Sequence, residues 1–326
     1  MERQAEREAA SCGFLPGDGG GDRRGRRAFG APDGRVPHPP AAEPTVKKLF
    51  LPLILFALVV AGCGSSSDDT DTSASAGGSC EPGKLATQEQ GVLTVATDNP
   101  AYPPYFEDND PTNGEGFESA VAYAIGDQLG YPKANVKWTT ESFNSSFAPG
   151  PKNFDFDVNQ ISITPVREKA VDFSAPYYTA NQAVVVLKSS EAASAKSLDE
   201  LQDAKLGVQV GTTSLEAAEA EIEPNERPEV FNSSNDVVQA LKNEQIDAVV
   251  VDLPTALYLT AVQVPEATVV GQFSAPGGDQ WGALLEKESP LTACVTEAIE
   301  ALESSGELQK ITDRWMSQAA GAPELG

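Results

Sequence analysis

Two kinds of hydrophobic pattern alternate along residues 91–316. Compact apolar runs, typical of buried strands, occur at 92–97, 136–139, 155–160, 182–187, 206–210 and 248–251. Apolar residues at helical spacing occur at 118–129, from 213 onward, at 235–243, and at 290–304 and 308–315 on either side of Gly306. This alternation with short connections predicts an α/β fold with largely parallel sheets. Because the units form two blocks followed by a pair of helices, we expect two lobes.

The chain carries an export pattern ahead of these blocks. Lys47 and Lys48 precede an apolar run at 49–61, which is followed by Gly62 and Cys63. A basic start, a short apolar run and a small-residue exit are typical of a secretory signal. As a helix the run would rise only about 20 Å, short of the roughly 30 Å hydrocarbon core, so we do not expect a permanent membrane span.

Residues 60–63 resemble a bacterial lipobox. This resemblance implies cleavage before Cys63, a lipid such as palmitate on the mature protein, and an anchor on the outer face of the bacterial cell membrane. A plain signal peptide with an incidental cysteine is the alternative. We interpret residues 46–62 as the lipoprotein signal and 63–90 as a flexible tether, since 64–79 are small, polar and acidic. Residues 1–45 would precede a signal peptide, so we interpret them as a non-native extension, with translation starting at Val46.

Composition excludes several classes of function. The net charge of −25 disfavours a nucleic-acid partner, because an acidic surface repels phosphates. His38 is the only histidine and lies in the suspected extension. The remainder of the chain therefore cannot use Ser-His-Asp or Cys-His catalysis or a His-ligated zinc ion.

Two cysteines remain beyond the lipobox, Cys80 and Cys294. An even number in an exported chain predicts a disulfide. Closing so long a loop is worth roughly 4–5 kcal/mol in the chain-entropy treatment. Two separately buried free thiols are the alternative.

Four segments lie at the ends of predicted strands, where open α/β sheets place ligands. The first, 98–106, holds aromatic rings on a proline-stiffened loop that could wall a pocket or simply form a turn with core aromatics. The second, 162–167, places Arg167 after Thr164-Pro165, which look like the start of a helix. This guanidinium could grip a carboxylate with two hydrogen bonds, or form a surface salt bridge.

The other two segments follow strands of the second block. Residues 211–214 open a helix with a glycine and three hydroxyls, which suits an anion but also describes a well-capped helix. Asp252 ends an apolar strand just before Leu253-Pro254, where it could pair with a ligand cation or cap the helix.

The order and spacing of these segments resemble the family-3 extracellular solute-binding proteins. The specific matches are S-I-T-P-x-R at 162–167, the segment that follows at 171–178, and 207–213 and 246–252; the resemblance runs from about Gly91 to Trp315. It implies a periplasmic-binding-protein-like clamp, whose two lobes are mostly parallel sheets flanked by helices and joined by two hinge strands. We expect 91–183 and 275–326 to form one lobe and 184–274 the other.

The resemblance also implies a ligand and its contacts. A polar amino acid would bind between the lobes and be delivered to the permease of an ABC importer, with no cofactor and no metal, by a monomer. Arg167 and the amides near Thr212 and Thr213 would hold the α-carboxylate. Asp252 would pair with the ammonium, helped by the hydroxyl of Ser162 and the carbonyl of Gln160. The remaining implied contacts are Tyr102 and Phe143, which would sandwich the ligand side chain, and Asp98.

Two departures from the family pattern concern the pocket. The loop between Asp98 and Tyr102 is one residue longer, and 145–152 are rich in Gly and Pro where the family has a helix. We therefore expect a pocket of altered shape near Phe143.

The leading interpretation is a binding protein without catalytic activity. One alternative is an enzyme on the same scaffold, resembling dehydratases of cyclic carboxylic acids. Such an enzyme needs a carboxyl group as general acid, and no matched motif supplies a second acid beside Asp252. A sensory module without a transporter is the other alternative.

Overall fold

The computed structural model describes residues 80–317 and 321–326. The proposed extension, signal, lipobox cysteine and most of the tether lie outside these residues. The described chain forms two five-stranded sheets with flanking helices. Its strands are β1 (Leu93–Thr97), β2 (Val136–Thr140), β3 (Phe156–Asp157), β4 (Val171–Ala180), β5 (Gln182–Leu187), β6 (Leu206–Gln209), β7 (Glu229–Phe231), β8 (Ala248–Asp252), β9 (Ala267–Phe273) and β10 (Asp279–Glu286).

Seven α-helices surround the sheets in the described residues. They are α1 (Phe117–Gln128), α2 (Phe143–Ser146), α3 (Thr213–Ala217), α4 (Ser234–Lys242), α5 (Leu253–Tyr258), α6 (Thr292–Ser304) and α7 (Glu307–Met316). Turns of π-helix at Ala218–Ile222 and Leu259–Gln263 extend α3 and α5. Within the described residues, none of these helices has the length and apolar character needed to cross a membrane.

The first sheet has the order β2-β1-β3-β10-β4. Strand β1 runs parallel to β2 and β3, whereas β10 is antiparallel to both β3 and β4. Its main core packs the sheet against α1, α6 and α7 through side chains such as Phe117, Ile125 and Val295. The predicted disulfide is present, because Cys80 is bonded to Cys294 of α6 with their Cα atoms 5.4 Å apart.

The second sheet has the order β7-β6-β8-β5-β9. Strand β6 is parallel to β7 and β8, and β5 is antiparallel to β8 and β9. Apolar cores cover both faces of this sheet, so the valine run of β5 is buried on both sides. The expectation of largely parallel sheets is therefore corrected to two mixed sheets, each carrying antiparallel strands contributed by chain segments that cross between them.

The chain passes from the first sheet to the second at Asn181 and returns between β9 and β10. The end of the chain departs from the expected lobe boundaries, which assigned residues 275–326 to the first lobe. Helix α7 packs on α1, but Gln272 of β9 exchanges backbone hydrogen bonds with Pro323 and Leu325, both at 2.8 Å. The last residues therefore lie on the second sheet.

Several predicted elements differ in extent. The strand expected over 155–160 is limited to β3, and the helix expected after Pro165 is a single 3-10 turn at Arg167–Lys169. Strands β4, β7, β9 and β10 were not predicted from the sequence. In β4, exposed, buried and partly buried residues alternate irregularly around Pro176, so this strand lacks the regular alternation that identifies a half-buried strand.

Candidate functional site

A cavity of about 470 Å³ lies between the two sheets. Its wall combines loops that follow β1 and β3 of the first sheet with the starts of α3, α4 and α5 of the second. The ends of parallel strands and helix starts meet here because both sheets direct these strand ends toward the cleft. The cavity wall contains all but one of the predicted ligand-binding residues: Asp98, Tyr102, Phe143, Gln160, Ser162, Thr212, Thr213 and Asp252.

Hydrogen bonds join the two sides of the cavity. The hydroxyl of Tyr102 donates to Asn235 Oδ1 at 2.7 Å, and the hydroxyl groups of Tyr105 and Thr255 lie 2.8 Å apart. The hydroxyl oxygens of Ser162 and Thr213 lie 3.2 Å apart. These pairs connect the first lobe with the second, so the structure represents the closed cleft.

The aromatic residues of the loop after β1 all line the cavity but are buried to different extents. Tyr105 and Phe106 also belong to the buried core of the first lobe. Tyr102 is half-buried, and its ring lies 6.3 Å from that of Tyr258. Both interpretations of this loop therefore hold, since the loop walls the cavity and supplies core aromatics. Phe143 lines the cavity from the single-turn helix α2 and stacks edge-on against Phe147.

Arg167 is the one predicted contact that does not line the cavity. Its side chain is buried beneath the rings of Phe143 and Phe147, whose centroids lie 5.5 and 4.6 Å from Cζ. Nη1 donates to the carbonyl of Ser162 at 2.6 Å and Nη2 to that of Gly211 at 2.8 Å. Because burial removes it from water, the surface salt bridge is excluded. Burial lowers the pKa of Arg167, opposed by nearby carboxylates, the first of which is Asp279.

Asp252 occupies the start of α5 without capping it, since its side chain accepts no hydrogen bond from the helix backbone. Its Oδ1 instead accepts a hydrogen bond from Gln182 Nε2 at 2.6 Å. Burial raises the pKa of Asp252 well above its usual range, and the adjacent carboxyl of Asp279 raises it further.

Asp279 is the acid that sequence reasoning missed. It begins β10, is 1% exposed, and accepts hydrogen bonds at Oδ2 from Gln182 Nε2 at 2.6 Å and from Thr213 Oγ1 at 3.0 Å. No matched motif supplies a second acid, but the structure places one beside Asp252. No local pattern could reveal this partner, because Asp279 comes from a strand that was not predicted and lies beside Asp252 only through the sheet topology.

Two further residues of the first lobe shape the cavity. Gln160 has a backbone φ of 49°, and both its backbone N–H (2.7 Å) and its side-chain amide donate to the carboxyl of Glu118 on α1. Burial raises the pKa of Glu118 to about 7, against the hydrogen bonds from Tyr177 and Gln160 that lower it. Asn159 also lines the cavity, and its Nδ2 has no hydrogen-bond partner in the described structure.

The charged side chains of the cavity wall are all acidic. Asp98 and Asp252 are the only charged side chains lining it within the described residues. Asp98 accepts hydrogen bonds from the backbone N–H groups of Asn99 at 2.7 Å and Phe143 at 3.2 Å, which hold its carboxyl at the rim of the first lobe. Over the same part of the chain, no group of three or more His, Cys, Asp or Glu side chains is arranged to hold a metal ion.

Two lobes, each built on its own sheet, close over a cavity that both supply with polar and aromatic side chains. This arrangement defines a two-lobed ligand-binding clamp, as the sequence predicted. Residues 93–318 match the family described as bacterial extracellular solute-binding proteins, family 3, and the chain belongs to that family.

Relatives and solved structures agree with this assignment. The chain is 29% identical over 246 residues to the arginine-binding extracellular protein ArtP of Bacillus subtilis (strain 168), covering 74% of this chain and 91% of ArtP. It is 29% identical over 230 residues to the L-cystine-binding protein TcyJ of Escherichia coli (strain K12), covering 70% and 84%.

Among solved structures, an ancestral arginine-binding protein bound to glutamine has a TM-score of 0.59 and 31% identity over 70% of this chain and 98% of that one. The ancestral amino acid-binding protein AncCDT-1, described as a precursor of cyclohexadienyl dehydratase, has a TM-score of 0.56 and 31% identity over 69% and 94%. These similarities confirm the clamp fold.

Proposed function

We propose that this protein captures an amino acid between its two lobes and delivers it to an ABC importer. The observation that carries the proposal is the closed cavity, whose wall contains the carboxylate of Asp252 together with the hydroxyl groups of Ser162 and Thr213. Relatives named for binding arginine and cystine support the same class of ligand.

The ligand's ammonium would pair with Asp252, next to the carbonyl of Gln160 and the hydroxyl of Ser162. The α-carboxylate would bind near Thr213 and turn toward Arg167. In the structure this guanidinium donates to Ser162 and Gly211, so ligand binding would exchange the Gly211 hydrogen bond for a charge-assisted one to the carboxylate. Burying both ligand charges is tolerable because each acquires a fixed partner.

We further propose that the ligand side chain is cationic. Apart from Asp252, the one charged group in the described cavity wall is the carboxylate of Asp98, and no cation accompanies it there. The rings of Tyr102 and Phe143 line the same cavity, and aromatic faces attract a guanidinium or ammonium. An arginine-like side chain would thus find a carboxylate and aromatic surface together.

The proposed function is tested by thermal melting of the full chain, purified in mild detergent, against individual L-amino acids at about 1 mM. A ligand bound with micromolar Kd would add roughly 4 kcal/mol and raise Tm by about 8–16 °C. We expect the largest shift with L-arginine or L-lysine and a smaller one with L-glutamine. A panel without any shift would contradict amino acid capture, and a largest shift with an acidic amino acid would contradict the cationic side chain.

A dehydratase is the second candidate, and one observation favours it. The carboxyl pair Asp252–Asp279 supplies the second acid that such chemistry needs, on a fold shared with the ancestral protein described as a dehydratase precursor. We favour binding because the relatives named above are binding proteins. Loss of water from a hydroxylated cyclic carboxylic acid, followed by absorbance, would show turnover if the enzyme interpretation were correct.

We also propose that a lipid on Cys63 anchors the monomeric protein outside the cell, where its permease partner could be reached. Mass spectrometry of the membrane-bound protein should find an acylated N-terminal Cys63. The Cys63→Ala variant should then be absent from the membrane in mature form. An unmodified, unanchored wild-type protein would contradict the anchor while leaving amino acid capture intact.

A further inference from the structure

The buried carboxyl group of Asp279 and the half-buried one of Asp252 meet at the cleft, and within the described residues no cation donates a hydrogen bond to either one. The amide Nε2 of Gln182 lies 2.6 Å from Asp252 Oδ1 and 2.6 Å from Asp279 Oδ2. A side-chain amide nitrogen has two N–H groups, so this single nitrogen serves both acids. The second oxygen of Asp279 is buried and has no hydrogen-bond partner within the described residues.

The surroundings of this pair contain few groups that could offset two negative charges. Within the described residues, the cation named in the field at Asp252 is Arg167, and its two side-chain hydrogen bonds go to backbone carbonyls instead. The other titratable groups facing the pair are Tyr105 and Tyr178, and Glu118 lies beyond Tyr105. Thr213 adds one hydroxyl donor to Asp279.

Two adjacent carboxyl groups in such a setting do not both ionise, because like charges and burial each favour the protonated form. Burial and the neighbouring Asp279 act in the same direction on Asp252, raising its pKa well above the usual range. A shared proton would also give the pair a hydrogen bond of its own. Before a ligand binds, the pair would then carry one negative charge.

We propose that Asp252 and Asp279 hold one proton between them in the empty cleft and release it to solvent when the ligand's ammonium binds. The inference rests on the proposed amino acid function. The ammonium contacts Asp252, which lines the cavity, and Asp279 acts through it as a positioning residue. The ammonium brings one positive charge and the proton takes one away, so the local charge of the pair and its cationic partner stays at minus one.

This exchange makes ligand capture depend on pH in a defined direction. Below the raised pKa of Asp252 a proton must leave for each amino acid bound, so raising the pH strengthens binding, by up to about tenfold per pH unit. Above that pKa the dependence disappears. A site whose groups keep their protonation states on binding would show no proton release and no such pH dependence of Kd, since the ligand's ammonium and Arg167 stay charged over the pH range tested.

The experiment is isothermal titration of the full chain with L-arginine at several pH values, each in buffers of different ionisation enthalpy. For the wild type we expect release approaching about one proton per arginine below the raised pKa of Asp252, with Kd falling as pH rises. Asp279→Asn should reduce the release by at least about half and flatten the pH profile of Kd. Circular dichroism and Tm of each variant establish that it is folded.

Two other substitutions identify the source of the proton. Asp157→Asn removes another fully buried carboxyl, one outside the cavity wall, and should leave the release unchanged. Glu118→Gln removes the other nearby carboxyl and should also leave the proton release unchanged.

Two outcomes would overturn the proposal. One is loss of proton release with Glu118→Gln but not with Asp279→Asn. The other is a wild type that binds arginine with less than ~0.1 proton released and a pH-independent Kd between pH 5 and 8. If the wild type binds no amino acid at all, both the proposed function and this inference are contradicted. Amino acid binding without proton release contradicts only the inference.

Discussion

Arg167 donates a hydrogen bond from Nη2 to the backbone carbonyl of Gly211 at 2.8 Å and thereby joins the first lobe to the second. Its other hydrogen bond, to Ser162, remains within the first lobe. The same guanidinium that the family resemblance assigns to the ligand's carboxylate therefore also connects the two lobes. Ligand binding would replace a neutral acceptor with a charged one at this position.

We expect Arg167→Lys to weaken amino acid binding by about 2–4 kcal/mol, roughly 30- to 700-fold, because an ammonium cannot donate in the same planar fork. Isothermal titration would measure the change. Arg314→Lys is the matched control, since Arg314 lies over Trp315 on α7 and not in the cavity wall. An Arg167→Lys affinity within threefold of wild type would show that the guanidinium does not touch the ligand.

Asp98 should decide the choice among ligand side chains. With Asp98→Asn we expect affinity for L-arginine to fall by at least about tenfold, because a charge-assisted hydrogen bond becomes a neutral one. Affinity for L-glutamine should change much less. Competition experiments with both amino acids would measure the selectivity directly.

The matched control is Asp108→Asn, which removes a carboxylate from the same loop outside the cavity wall. If Asp98→Asn weakened both ligands equally, Asp98 would be supporting the shape of the loop, not recognising a cation.

Glu118 makes stability depend on pH. Its pKa is raised from 4.5 to about 7 in the folded chain, so between these values the folded state keeps a proton that the unfolded state has lost. The contribution is complete below about pH 4.5 and is lost as pH rises toward 7, a change on the order of 3 kcal/mol. Urea unfolding at pH 4.5, 5.5, 6.5 and 7.5 would measure this decline.

Glu118→Gln should flatten the decline, because the amide stays neutral and can still accept the N–H of Gln160. An equally steep decline in this variant would assign the effect to other groups.

The parts of the site that the sequence predicted share one property, their place at the end of a recognisable strand. Asp98 follows the apolar strand β1 and Asp252 ends β8, so local pattern and the family resemblance both located them. Both also line the cavity, where the resemblance expected them. Position along the chain was therefore enough to bring these two carboxylates to one cleft.

The other features of the site depend on contacts between distant parts of the chain, which no local sequence pattern reveals. Asp279 reaches Gln182 because β10 returns to the first sheet immediately beyond the second crossing, a register that no short pattern encodes. Arg167 was expected to face the ligand, but its depth beneath Phe147 depends on the single-turn helix α2, where the sequence departs from its family. Non-local topology and one irregular loop thus separate the predicted site from the observed one.

The last residues of the chain should stabilise the second lobe. Leu325 is 2% exposed and packs with Val270 and Phe273, and Gly271 leaves the space it occupies: a Cβ there would lie 2.5 Å from Leu325 Cγ. Removing a buried leucine costs the lost burial and the cavity left behind. For Leu325→Ala we expect a loss of about 2 kcal/mol.

Glu324→Ala provides the control, since its side chain is exposed one residue away. Urea unfolding would compare the two variants, and binding of L-arginine would show whether the cleft still closes. Because α7 packs on the first lobe while Leu325 packs on the second, weakening this contact should also ease opening of the clamp and raise Kd. A Leu325→Ala protein as stable as the Glu324→Ala control would mean that the last residues contact β9 without stabilising the second lobe.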